Sequence, residues 1–280
     1  MSRIRIASTS YLNALPISWG FLHGPDAPLY DISFHPPAVC AELLEAGKVA
    51  IALIPSIEFQ AIPGLRILPG TAIGSIGRVG SVRLISKVPF ESISSVAVDA
   101  DSRTAVALLH ILLHRRGIKN PKFTAMKVNL ETMLREHDAA LIIGDPALRL
   151  RPGARASFDL ALEWKKETGL PFVFALWAAR REIASRLDID SFLLSCRSGL
   201  GEIDRIAREN SSGMNMDRAG IAAYLRENIH YDLGGRELEG LRMFYRLAGE
   251  SGLIPSPRTI HLHRDPRGTW PATEARRETG

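Results

Sequence analysis

Three short stretches of the chain combine hydroxyl, amide and charged side chains at spacings that suit recognition of a small anion. The first is STSYLN, residues 8–13, where Ser8, Thr9 and Ser10 offer hydroxyls, Tyr11 a phenol, and Asn13 both a donor and an acceptor. The second is DADSRT, residues 99–104, in which Ser102, Arg103 and Thr104 stand just before an apolar helical run. A guanidinium together with the free N–H groups of a helix start suits a carboxylate. The third is IIGDPAL, residues 142–148, where Gly144 permits an unusual turn, Asp145 can cap, and Pro146 suits a first helical position. Capping competes with ligand binding at each of them. For any single hydroxyl of STSYLN a helix cap is the simpler role. For the whole cluster, helix cap and cleft wall are evenly matched. Capping by Asp101 or Ser102 alone explains the second stretch, and composition alone makes Arg103 a solvated arginine. An acid is an awkward neighbour for an anion, so Asp145 is assigned mainly to capping.

These stretches matter only if strands and helices bring them to one place. RIRIAST is a β-branched run, and PISWGFLHG reads as a helix with Pro16 in its first turn. YDISFHPP is a second strand, AVCAELLEAGK an amphipathic helix ended by Gly47, and VAIALIPS an apolar strand. This β-α-β-α-β order predicts a parallel sheet with covering helices. Extended structure follows through LRILPG and TAIGSIGRVGSVRLIS. A second series then alternates: SSVAVDA, the helix SRTAVALLHILLHRRG, KFTAMKV, the helix LETMLREH, and AALIIGD. PFVFALWAA reads as a further strand, and residues 181–252 as helical. The predicted architecture is α/β and two-lobed. The first lobe comprises residues 1–85 and 180–255, the second residues 86–179, and VRLIS and PFVFALWAA cross between them. Two lobes joined by two strands leave a cleft for a small molecule. In parallel α/β sheets ligands gather at the carboxyl ends of strands, which is where all three polar stretches fall. Residues 256–280, rich in Pro, Arg and Thr, are expected to form a disordered tail.

Composition narrows the function further. The formal charge of +5 on 280 residues is mild, and part of it lies in the five arginines after residue 256. It does not argue for nucleic acid. Only Cys40 and Cys196 occur, without a CxxC or zinc spacing, so neither a disulfide framework nor a metal site is expected. The start, MSRIRIASTSYLN, lacks the apolar core of a signal peptide, and no apolar run has transmembrane length. A cytoplasmic setting without a membrane partner is the expectation. Gly74, Gly77 and Gly80 do not make GxGxxG, and a strand follows them, so a phosphate loop is weakly supported. Gly80 instead lets the backbone turn so that Ser81 faces the cleft. His110 and His114 sit among leucines without the glutamate of HExxH, and no GxSxG elbow occurs.

SYLNALP, GSV entering a crossing strand, DSRTA opening a helix, IGDPAL and TGLPFVFALWAAR occur here in one order that resembles the chorismate dehydratase family of the futalosine route to menaquinone. The resemblance spans roughly residues 4–255. It implies a type II periplasmic-binding-protein-like fold used as an enzyme, with chorismate between the lobes and no cofactor. By position it implies catalytic roles for Asn13 and Ser81. It also implies substrate contacts from Ser10, Tyr11, Ser102, Arg103, Thr104 and Gly144. Loss of the ring C3 proton and C4 hydroxyl makes the product aromatic, so the enzyme's task is to position the substrate and stabilise charge. Neither Asn13 nor Ser81 is a good general base, and the substrate's own enolpyruvyl carboxylate is the expected proton acceptor. The rivals are a non-catalytic solute-binding protein of the same fold and the sister 1,4-dihydroxy-6-naphthoate synthase.

Overall fold

Alternating β-branched and apolar residues build eleven strands among the residues described by the computed structural model, which are 3–263 apart from 152, 185–186 and 215. In chain order they are β1 (Ile4–Thr9), β2 (Tyr30–His35), β3 (Ile51–Pro55), β4 (Leu65–Ser75), β5 (Val82–Ser86) and β6 (Ser95–Val98). Then follow β7 (Lys122–Ala125), β8 (Ala139–Ile143), β9 (Ala156–Asp159), β10 (Phe172–Arg180) and β11 (His230–Leu233). Two sheets result. The first has the order β11-β4-β10-β3-β1-β2, the second β7-β6-β8-β5-β9. Every residue of β3 and of β8 is buried, as central strands covered on both faces require.

Neither sheet is wholly parallel, which corrects the sequence-based expectation. β1 runs parallel to β2 and β3, but β10 is antiparallel to β3 and β4, and β11 is antiparallel to β4. In the second sheet β6 is parallel to β7 and β8, whereas β5 is antiparallel to β8 and β9. The lobe boundaries shift as well. β5 lies wholly in the second sheet and β10 wholly in the first, so the chain changes lobes at 76–81 and 169–171 rather than at 85 and 179. The described part of 181–252 contains the helices Asp190–Gly201, Ile203–Asn210, Arg218–Ala223 and Gly235–Glu250, with β11 between the last two.

The expected tail is ordered over its first part. Arg258 N–H donates to Gln60 Oε1 at 2.6 Å, and the Arg258 guanidinium reaches the carbonyls of Gln60 and Ile62. Ile67 N–H donates to the His261 carbonyl and His263 N–H to the Ile67 carbonyl, which lays Leu262 beside β4. These backbone bonds satisfy groups on β4 that would otherwise need water. Residues 264–280 lie outside the described residues.

Candidate active site

The end of β1 delivers the first polar stretch, and its members part company there. Ser8 is fully buried and shares a 2.8 Å hydrogen bond with Ser18 on the following helix, Leu15–His23. Thr9 accepts the Tyr11 N–H, and Ser10 is exposed with its N–H bonded to the His35 carbonyl. Tyr11 leads into a short turn, Leu12–Ala14, in which Leu12 and Ala14 are buried. The Tyr11 ring lies against Gly144, where a β-carbon would stand only 2.6 Å from a ring carbon. Gly144 has φ +63, so both its conformation and its closeness to Tyr11 exclude a side chain. The Asn13 Oδ1 is buried and has no hydrogen-bond partner. An orphaned buried acceptor carries a cost that a ligand donor relieves.

The linker 76–81 delivers Ser81. Gly80 has φ +76, and Asp159 fastens the backbone there by accepting the N–H groups of Val79 and Gly80 at 3.2 and 2.6 Å. Asp159 Oδ1 also caps the next helix, Leu160–Thr168, through Leu162 N–H. Ser81 is buried, and its carbonyl accepts the Gly144 N–H at 2.8 Å. Its Oγ accepts the hydroxyl of Tyr224 at 2.9 Å. Tyr224 is itself buried, and the Asn13 side chain is a second hydrogen-bonding neighbour of its phenol. Burial pushes the Tyr224 phenol far up, so it stays protonated and remains a donor. Sequence reasoning missed Tyr224, because a tyrosine in IAAYLREN is indistinguishable from a core residue by periodicity.

Asp145 does something other than cap its helix. No side-chain cap bond forms at the helix Gly144–Arg149. Asp145 Oδ1 instead accepts the Leu12 N–H at 3.1 Å and so ties the end of β1 to the second lobe. Burial raises its carboxyl above the ordinary range, against the opposing pull of the Leu12 N–H and Arg149. Burial also raises the Tyr11 phenol, helped by the carboxylates of Asp99, Asp101 and Asp145.

The second polar stretch divides as well. Ser102 stands at the N-cap position of the helix Arg103–Arg115, yet its hydroxyl makes no cap bond and is buried without a partner. The first intrahelical bond runs from Val106 N–H to the Ser102 carbonyl, which leaves the N–H groups of Arg103, Thr104 and Ala105 ahead of it. Thr104 Oγ1 accepts the Ile57 N–H from the first lobe at 3.3 Å. The Arg103 guanidinium is held by Glu42 at 2.6 Å and Glu58 at 3.2 Å. The structure thus brings Tyr11, Asn13, Ser81 and Gly144 together with Tyr224 and Asp145. Arg103 points to carboxylates on the first lobe, and Ser10 faces solvent.

The neutral hydrogen-bonding groups of Asn13, Ser81 and Tyr224 can bind an anion and stabilise negative charge developing on it. Among the described residues, no three His, Cys, Asp or Glu side chains converge as a metal-binding group. A separate groove of about 540 Å³ is lined by residues of the helical return, among them Asp204, Arg208, Arg218 and Arg226. The Arg226–Asp204 ion pair at 2.8 Å spans it, and none of the cluster's residues contributes to it.

A family model described as menaquinone biosynthesis matches residues 4–250. The chorismate dehydratase of Thermus thermophilus is 30% identical over 232 residues, which is 76% of this chain and 84% of that protein. Among solved structures, protein AF1704 from Archaeoglobus fulgidus superposes with a TM-score of 0.67 at 18% identity, over 90% of this chain and 98% of that one. The periplasmic aliphatic sulphonate binding protein SsuA from Escherichia coli gives 0.64 at 15% identity, over 93% and 91%. At those identities the structural likeness speaks to the two-lobed fold alone.

Proposed function

This chain belongs to the menaquinone-biosynthesis family, and we propose that it is a chorismate dehydratase, a lyase that removes water from chorismate to give 3-[(1-carboxyvinyl)oxy]benzoate. The observation that carries the reading is the likeness to the Thermus thermophilus enzyme across 76% of this chain. The two-lobed fold supports a small-molecule substrate, and a biosynthetic step of this kind supports a cytoplasmic setting.

The reaction asks little of acid–base chemistry because the ring becomes aromatic. Removing the C3 proton leaves negative charge conjugated with the ring carboxylate, and the C4 hydroxyl departs. Asn13, with an unpaired buried Oδ1, is assigned to the departing hydroxyl, whose hydrogen Oδ1 accepts. Ser81 donates to the reacting edge of the ring. The N–H groups at the start of the helix Arg103–Arg115, with Ser102 Oγ beside them, are assigned to a carboxylate. The enolpyruvyl carboxylate of the substrate is the proton acceptor, since the raised pKa of Asp145 goes with a carboxyl already committed to Leu12.

The test is to incubate the purified protein with chorismate and follow the product by absorbance and mass. The expected outcome is a benzoate one water lighter than the substrate. Binding without turnover would overturn the reading in favour of a solute-binding protein.

A further inference from the structure

Tyr224 comes from a part of the chain with no polar motif, yet its hydroxyl makes the hydrogen bond that fixes Ser81. Three observations meet at this residue. Its OH donates to Ser81 Oγ at 2.9 Å inside the core, 143 positions away in sequence. Asn13, the other residue assigned to the reacting end of the substrate, is a second hydrogen-bonding neighbour of the same phenol. Tyr224 also opens a π-helical turn, Tyr224–Asn228, where the chain leaves ordinary α-helical winding. Such turns cost regular hydrogen bonding and tend to occur where a side chain must be re-aimed. At the far end of this turn Asn228 Nδ2 donates to the Arg78 carbonyl at 3.0 Å, so the turn grips the linker 76–81 at two points.

A serine hydroxyl has one proton to give. With Tyr224 donating to its oxygen, the Ser81 proton is left for another acceptor. We propose that Tyr224 is the positioning residue of this site: it holds Ser81 in place and dictates that Ser81 donates to the substrate. The Tyr224 proton stays on the phenol throughout, so the residue orients and does not transfer. This rests on the dehydratase reading.

A double-mutant cycle on the full chain tests it, using Tyr224→Phe, Ser81→Ala and the pair, with chorismate as substrate. Tyr224→Phe keeps the ring and removes only the hydroxyl. It is expected to lower kcat roughly tenfold with KM within about twofold, the pattern of an interaction made in the transition state. In the Ser81→Ala background the same change is expected to alter kcat less than about twofold, because the group it acts through is gone. A structural role would instead give costs that multiply, and such additivity in an active enzyme overturns the proposal. Wild-type protein that fails to turn chorismate over overturns the dehydratase reading and this role with it, an outcome distinct from additivity. Should Tyr224→Phe not fold, 3-fluorotyrosine at position 224 keeps the hydroxyl and makes it a stronger donor. A kcat change beyond about twofold that vanishes in Ser81→Ala supports the proposal, and no change in either background overturns it.

Discussion

At the scale of single residues, the site is defined by what is left unpaired and what is left out. Asn13 Oδ1 and Ser102 Oγ are buried without partners, whereas Ser8, equally polar and one strand position from Thr9, is satisfied by Ser18. Asn13→Ala is therefore expected to lower kcat on chorismate about a hundredfold or more, the usual scale for removing one hydrogen-bonding group from a charge-stabilising site. Steady-state kinetics on a variant that melts near wild type checks it, and unchanged turnover would remove Asn13 from the mechanism. Gly144→Ala tests the space rather than the chemistry. Its β-carbon would meet the Tyr11 ring at 2.6 Å on a backbone with φ +63, so a stability loss of about 1–3 kcal/mol by urea unfolding and a displaced Tyr11 are expected. Much of this was legible in sequence, since STSYLN and IGDPAL stood at strand ends with the right residue types. What sequence could not give was the choice among adjacent hydroxyls, or Tyr224, because both depend on which chain segment arrives from far away.

At the scale of elements, hydrophobic periodicity finds strands without revealing their direction. β5 and β10 run against their neighbours because of how the chain changes lobes, a property no local window contains. The strand β11 and the four-residue β9 were too short to stand out against their flanking helices and loops. Asp138 shows how one residue outside any strand ties elements together. Its Oδ2 accepts the N–H and hydroxyl groups of both Ser94 and Ser95, fixing the start of β6 beside the start of β8. Those bonds, led by the Ser94 hydroxyl, hold the Asp138 carboxyl below its ordinary value. A depressed folded-state pKa means stabilisation that is present above the unfolded value of about 3.9 and lost as pH falls through the folded one. Asp138→Ala is expected to cost about 1–3 kcal/mol at neutral pH in urea unfolding. The gap to wild type should narrow on acidification below about pH 4, and a pH-independent difference would contradict this account.

At the scale of the whole molecule, the contacts that cross between the lobes include Asp145 to Leu12, Tyr224 to Ser81, Thr104 to Ile57, and Arg103 to Glu42 and Glu58. The last is the one most open to exchange, since a substrate carboxylate can compete with two glutamates for the same guanidinium. If Arg103 passes to the substrate, Arg103→Ala raises KM roughly tenfold while Glu42→Gln with Glu58→Gln leaves KM unchanged or lower. If it serves only to hold the lobes, both variants open the molecule alike, and solution scattering will show equal increases in radius of gyration. The two lobes were readable from the double series of strands and helices. The latch was not, because Arg103, Glu42 and Glu58 are ordinary charged residues until the lobes meet. A different consequence follows from Leu262 lying beside β4. The strand β11 covers β4 only from Gly70 to Gly74, and the backbone at Ile67 is covered by residues 261–263, beyond the stretch matched by the family. A chain cut at residue 250 keeps all eleven strands but bares an unpaired edge at Ile67. Such edges recruit strands from neighbouring molecules, so the shortened protein should self-associate at concentrations where the full chain stays dispersed.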